Sequence, residues 1–277
     1  MSIEISVIIV NFNGMKFLKE CLESLMLNLK DLAFEIIVFD NNSHDASCEY
    51  IKQSFTNVRL IESVINYGFG KGNNEAVNLA NGEYILLINN DTVVLDYLKP
   101  VLDFFKTEKN IGVLGINMVD ANKQYMQAGF RLPNIYNMLR LKNLLKINKD
   151  FENGNFKKNH YEVGWLCGSF LMMSKKTFIE INGFDPNYFM YVEDVDLCKR
   201  ISDKKLKRVF YPAASYIHFV GFDSSKNKFL SHGYKIYCSK HFSGLYKRAI
   251  LFAIKINVFI KNLKLQIKTD QISNFEQ

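Results

Sequence analysis

The stretch ISVIIVNFNGMKFLKECLESLMLNLK, Ile5 to Lys30, decides the fold. Ile5 to Val10 is an apolar, β-branched run broken only by Ser6, the pattern of a strand buried on both faces. NFNG follows as a turn, and beyond it Leu18, Leu22, Leu25 and Leu29 recur at helical spacing. The runs FEIIVFD, VRLIE, EYILLINND and IGVLGI repeat the strand signal, and DYLKPVLDFFKTEK reads as a helix between the last two. Strand and helix alternating at this pitch predict an α/β fold, a mostly parallel sheet flanked by helices on both faces.

Ligands bind such sheets at the carboxyl ends of the strands. Attention therefore falls on Asn11 and Asn13, on Asp40, Asn41 and Asn42, and on Asn89, Asn90 and Asp91. From about Pro133 to His160 the chain is basic and irregular, a helical insertion or a loop. EVGWLCGSFLMMSKK then resumes a strand-like pattern, and INGFDPNYFMYVEDVDLCKRI reads as a loop running into a helix.

The chain has 277 residues, 48% of them hydrophobic and 23% charged, enough apolar material for a packed core. Its start lacks the basic region of a signal peptide, and no stretch approaches the roughly 20 apolar residues that cross a bilayer. Five cysteines without a C-x-x-C pair point to reduced thiols rather than a zinc site or a disulfide frame. The net charge of +7 admits nucleic acid, anionic lipid or anionic small molecules as partners. Much of it sits in the mid-chain insertion and the last helix, without an aromatic-basic module, which argues against nucleic acid. On a helical wheel of 245–268, Leu245, Ala249, Phe252, Ala253, Ile256, Phe259, Ile260, Leu263 and Ile267 share one arc, with lysines and Arg248 elsewhere. A basic amphipathic helix of this kind suits an anionic membrane surface, or docking on its own domain.

Several stretches can carry chemistry. INNDT, Ile88 to Thr92, ends a strand on Asp91, which can hold a hard divalent cation through oxygen. Asp40 in FDNNSHDAS can accept a hydrogen bond from a base or ribose, or the same stretch can cap a helix through Ser43 or Asp45. NYGFGKGNN, Asn66 to Asn74, is a glycine-rich loop suited to a phosphate or to a tight turn, and it is not a Walker loop because Gly72 follows Lys71. His218 needs Asp91 beside it to complete a metal site; Trp165 is either core or a sugar-stacking surface. Glu193, Asp194 and Asp196 crowd three carboxylates among aromatics, where desolvation makes each harder to ionise.

Taken in order, SVIIVNFNG, IIVFDNNSHD, NYGFGKGNN, LLINNDT, GSFLMMSK, GFDPNYFMYVEDVDLCKR and HFVGFDSS resemble the family 2 glycosyltransferases of the GT-A fold, closest to their rhamnosyltransferase-like branch. The resemblance covers about 5–225. It implies a GT-A domain over 1–230, with a nucleotide-sugar half to about 117 and an acceptor half from 118, followed by a helical extension over 231–277. It further implies inverting transfer from a nucleotide sugar with Mg2+ or Mn2+. Asp194 would be the general base, with Glu193 beside it on the acceptor side together with Trp165 and Gly168. Asp91 and His218 would hold the metal. Asn11, Asn13, Asp40, Asn42, Asn66, Gly68, Gly70, Asn73, Asn89 and Asn90 would line the nucleotide and diphosphate, Asp40 at the base. Asn89 stands where the fullest motif has a second carboxylate, so the metal site is one acid poorer.

The implied setting is a bacterial cytoplasmic enzyme, peripheral on the inner membrane face, extending a lipid-linked glycan for a capsule or O-antigen, with dTDP-rhamnose the first choice of donor and a UDP-hexose or UDP-N-acetylhexosamine the second. A sugar nucleotidyltransferase would carry its glycine-rich loop where this chain has NFNG. An inactive scaffold would not need the acids.

Overall fold

The computed structural model describes residues 2–134, 136–137, 147–219, 227–252 and 254–256. Eight strands form the main path of the sheet: β1 (Ile5–Asn11), β2 (Phe34–Asp40), β3 (Arg59–Glu62), β4 (Tyr84–Asn89), β5 (Thr92–Val94), β6 (Ile111–Val119), β11 (Phe170–Ser174) and β12 (Lys207–His218). Their order is β3-β2-β1-β4-β11-β6-β12-β5. Four short strands lie around them: β7 (Tyr125–Met126) pairs with β6 and β9 (Tyr161–Glu162) with β12, while β8 (Gly129–Phe130) and β10 (Trp165–Leu166) form a separate ribbon.

β1 is parallel to both β2 and β4 and is buried along nearly its whole length, which is why it contains only apolar residues between Ser6 and Asn11. β11 opposes both β4 and β6, and β6 is parallel to β12. Hence β1, β2, β3, β4, β6 and β12 all point the same way, and their carboxyl ends share one edge. β11 runs against them, so its start lies at that edge as well.

The helices α1 (Met15–Asn28), α2 (Ser47–Ser54), α3 (Phe69–Asn78) and α4 (Lys99–Thr107) alternate with the first strands, as the apolar spacing predicts. Leu18, Leu22, Leu25 and Leu29 are all buried. In the irregular basic stretch the described residues include a short helix, α5 (Lys149–Asn153), while 135 and 138–146 lie outside the described residues. α6 (Lys175–Glu180), α7 (Glu193–Asp203) and α8 (Asn227–His241) complete the described set, followed by a helical segment over 244–252 and 254–256.

β6 runs through the boundary expected near residue 117, so the two halves share one sheet. A second apolar cluster of Tyr188, Val192, Val195, Tyr234, Tyr237, Cys238, Ile250 and Ile254 joins α7, α8 and the last segment. That segment docks through Ile250 and Ile254, and Leu245, Phe252 and Ile256 of the expected apolar arc stay exposed. The remainder of the arc, Ala253 and everything from 257 on, lies outside the described residues. Among the described residues no helix is long and apolar enough to cross a membrane. All five cysteines are unpaired.

Candidate active site

The shared edge begins with an interlocked set of polar side chains. Asn11 ends β1 fully buried; its Nδ2 donates to Asp40 Oδ1 at 2.8 Å and to Ser47 Oγ at 2.9 Å, and its Oδ1 accepts from Asn90 Nδ2 at 2.8 Å. Asp40 ends β2 and accepts from Ser43 Oγ at 2.6 Å and from the Ser43 amide at 2.8 Å. Asp40 is thus engaged by Asn11 and Ser43 and is 2% exposed, so the carboxylate expected at the base orders the loop after β2. Asn13 and Asn42 take left-handed backbone (φ 51° and 63°), a region Asn tolerates better than most residues. Asn13 Oδ1 accepts the His44 amide and its own amide donates to Ser43 Oγ, closing the two strand-end loops on each other.

The glycine-rich loop is tied to this edge by Asn41, a residue the sequence reading left out of its site. Asn41 Nδ2 donates to the Gly68 carbonyl at 2.9 Å and its Oδ1 accepts the Tyr67 amide. Asn66 Oδ1 accepts the Gly68 amide at 2.8 Å. Gly68 sits at φ 78°, and a Cβ there would overlap the Phe189 carbonyl. Gly70 lies against Phe184, so both glycines are explained by close packing on the 184–189 loop. Asn73 is buried and donates to the Phe69 carbonyl within α3.

β4 and β12 bring the expected metal pair together. Asp91 Oδ1 lies 3.3 Å from His218 Nε2, and Asn89 Nδ2 lies 3.4 Å from the same nitrogen. The Phe219 amide donates to the Asp91 carbonyl, closing the β12 end onto the loop after β4. One carboxylate and one imidazole nitrogen converging at a sheet edge fit a divalent ion whose other positions are filled by phosphate oxygens and water. Among the described residues no cluster of three or more His, Cys, Asp or Glu side chains offers a denser site.

The acidic turn closes the other side. The chain enters α7 through Tyr191 (φ 68°) and Val192 (φ 74°), two consecutive non-glycine residues in left-handed backbone. Such conformations cost about 1–3 kcal/mol each and persist only where the surroundings fix them. This turn sets the three acids in three environments. Asp194 is half-buried; its Oδ2 accepts the Gly168 amide at 2.9 Å, just before β11, and its Oδ1 accepts the Val195 amide. Burial pushes its carboxyl up to about 6, against those two hydrogen bonds. Glu193 is 5% exposed, its Oε2 has no hydrogen-bond partner among the described residues, and burial followed by the Asp194 charge raises it well above the ordinary value.

Asp196 is wholly buried, yet Arg200 Nε at 2.8 Å, Lys240 Nζ at 3.0 Å and His241 Nε2 at 2.7 Å surround it. Burial opposes its ionisation, but the His241 hydrogen bond and the charges of Arg200 and Lys240 hold it at about 2. Trp165 has one face stacked on Phe130 at 4.1 Å, between the two apolar clusters.

A mostly parallel sheet with this edge, closed by an opposed strand that presents Gly168 to the acidic turn, is the architecture of the GT-A glycosyltransferases. GalNAc-T7 with UDP, GalNAc and Mn2+ superposes with a TM-score of 0.63 at 16% identity, over 80% of this chain and 45% of that one. A Pyrobaculum calidifontis mannosyltransferase with GDP-Man and Mn2+ gives 0.61 at 13% identity, over 91% and 69%. S. aureus TarS 1–349 with UDP-GlcNAc gives 0.60 at 17% identity, over 90% and 70%.

The chain belongs to glycosyl transferase family 2, whose model matches residues 6–181, and it is a glycosyltransferase. A second model, described as the N-terminal domain of galactosyltransferase, matches residues 153–221 and includes Asp194 and His218. Among curated proteins, rhamnosyltransferase WbbL of Escherichia coli is 28% identical, over 88% of this chain and 94% of its own length. An N-acetylglucosaminyl-diphospho-decaprenol L-rhamnosyltransferase of Mycobacterium tuberculosis is 24% identical, over 76% and 75%. The similarity is thus to rhamnosyltransferases along most of the chain.

Proposed function

We propose that this glycosyltransferase inverts the anomeric centre as it moves a sugar, L-rhamnose from dTDP-rhamnose in the first instance, onto a lipid-linked glycan during surface polysaccharide synthesis. The observation that carries the reading is Asp194: a carboxylate with raised proton affinity, held by the Gly168 amide at the sheet edge that ends in Asp91 and His218. The acceptor hydroxyl gives its proton to Asp194 as its oxygen bonds to the anomeric carbon. The bond from that carbon to the diphosphate breaks on the opposite side, and its electrons leave with the diphosphate. Asp91 and His218 would hold Mg2+ or Mn2+, which when bound neutralises charge on the leaving diphosphate. Asn11, Asp40 and Asn90 fix the loops that line the nucleotide, and Asn41 and Asn66 fix the glycine-rich loop between nucleotide and acceptor.

The choice of rhamnose is supported by the names of the two relatives with the broadest coverage given above. A UDP-hexose or UDP-N-acetylhexosamine is the second reading, favoured by the structural likeness to TarS with UDP-GlcNAc. A donor panel scored by nucleoside-diphosphate release separates them. Turnover of dTDP-rhamnose but not of UDP-sugars is expected, and the reverse result overturns the first choice.

The exposed Leu245, Phe252 and Ile256 beside Arg248 and Lys255 support a membrane-facing role for the last helical segment. Removing 245–277 is then expected to release the protein from vesicles rich in anionic lipid; retention on them would end that reading.

A further inference from the structure

Helix α8 lies beyond both stretches that match family models, yet it grips the turn that carries the acids in two places. At its middle, Gly233 lies so close beneath the turn that a Cβ there would stand 2.6 Å from the Tyr191 carbonyl oxygen and 2.9 Å from Val192 Cγ2. At its carboxyl end, Lys240 and His241 bind the buried Asp196 on the first turn of α7, and Lys240 also binds Asp185 at 2.7 Å, ahead of the turn. The Asp196 amide in turn donates to the Val192 carbonyl at 2.9 Å. Tyr188 OH, 3.5 Å from Asp196, completes the packing from the loop side.

These contacts bracket Tyr191 and Val192, whose left-handed backbone nothing in their own residue types favours. Strained backbone of this kind persists only where neighbouring structure over-determines it. We infer that α8 is a strap: His241 and Lys240, acting through Asp196, and Gly233, acting on the turn itself, are positioning residues that hold Tyr191–Val192 left-handed and so keep Asp194 at the Gly168 amide. None of the three touches the reacting atoms. A glycosyltransferase that lost the strap would keep its donor site, which is built on the ends of β1, β2, β4 and β12, and lose the aim of its base.

The inference rests on Asp194 being the base, and its test has one arm that does not. In the full-length chain, His241→Ala is compared with His241→Gln, whose amide can still donate to Asp196. Three quantities are read: amide hydrogen exchange across residues 189–196, the dissociation constant for the nucleotide-sugar donor, and kcat. For His241→Ala the strap predicts exchange at 190–196 at least tenfold faster, donor affinity within twofold of wild type, and kcat down at least tenfold. His241→Gln should recover at least a third of the lost kcat and protection. Unchanged exchange at 190–196 in His241→Ala overturns the strap whatever the activity. A parallel loss of donor affinity and kcat overturns it too, because that pattern belongs to general destabilisation. If the wild type releases nucleoside diphosphate from no donor while exchange at 190–196 still rises, the proposed function fails and the strap stands.

Discussion

At the ends of β1, β2 and β4 the polar groups are mostly amides that satisfy one another, with Asp40 engaged by Asn11 and Ser43. At the start of α7 three carboxylates stand within four residues, and each meets a different fate. Among the described residues Asp194 has hydrogen bonds from two backbone amides and no ion pair; Asp196, two residues on, is surrounded by Arg200, Lys240 and His241. Burial opposes the ionisation of both acids, so desolvation alone cannot tell them apart. What separates them is the supply of positive charge from α8 and from the next turn of α7. The strand ends form a hydrogen-bonded frame of amides around Asp40, and the start of α7 is a charge gradient along a single helical turn.

The gradient is broken most sharply by a matched pair of isosteric changes. Asp194→Asn removes the proton acceptor, and kcat should fall about a thousandfold while donor affinity stays within about twofold. Stability should move the other way. A carboxyl whose folded value is raised to about 6 disfavours the fold above that pH, and the penalty disappears as pH falls below the ordinary carboxylate range. Asp194→Asn is therefore expected to stabilise the fold by about 1–2 kcal/mol at pH 8, and by little at pH 4. In Asp196→Asn, Arg200 and Lys240 lose their buried counter-charge, and the loss should be about 2–4 kcal/mol at neutral pH. A carboxyl depressed to about 2 contributes stability that is complete above the ordinary range and is lost as pH falls through 2. Urea denaturation of both variants at pH 4 and pH 8 tests the signs. Loss of stability in both would mean that Asp194 is structural.

The donor side is broken next by removing the metal. With one carboxylate and one imidazole in the pair, EDTA should lower turnover by about a hundredfold, with Mn2+ restoring it. Asp91→Asn should resist that restoration at any but high Mn2+. Full turnover in EDTA would show that the diphosphate leaves without a metal, met by donors such as the Asn89 amide and the His218 imidazole.

The donor frame was largely legible in the sequence because its signals are local. Apolar β-branched runs ending in Asn or Asp mark both the strands and their carboxyl ends, and Asn11, Asp40 and Asp91 fall where the alternation puts them. The acidic turn was legible as a cluster and opaque as a device. Two of the partners of Asp196, Lys240 and His241, stand 44 and 45 positions away on a helix that no motif marks, and the left-handed Tyr191 and Val192 carry no residue-type signal at all. The glycine-rich loop was open between a phosphate cradle and a tight turn, because a sequence does not show Phe189 and Phe184, more than a hundred residues on, packed against Gly68 and Gly70. Trp165 was open between core and sugar platform because a sequence does not show Phe130 lying against its face.

The smallest expected effect sharpens the gradient at the first acid of the turn, Glu193. Its carboxyl is enclosed, lacks a hydrogen-bond partner at Oε2 among the described residues, and is raised by burial and by the neighbouring Asp194 charge. Both causes favour the protonated form, and a protonated carboxyl is closely matched by an amide of the same shape. Glu193→Gln should leave kcat within about threefold of wild type, in contrast to Asp194→Asn. It should also leave the acidic limb of the pH–rate profile centred near the value of about 6 set by Asp194. The sign of any departure is informative. Were Glu193 ionised beside Asp194, its negative charge would oppose the ionisation of Asp194, and removing it would move the limb to lower pH. A limb displaced downward by a full pH unit, or a loss of kcat approaching that of Asp194→Asn, would make Glu193 a second charged member of the catalytic pair.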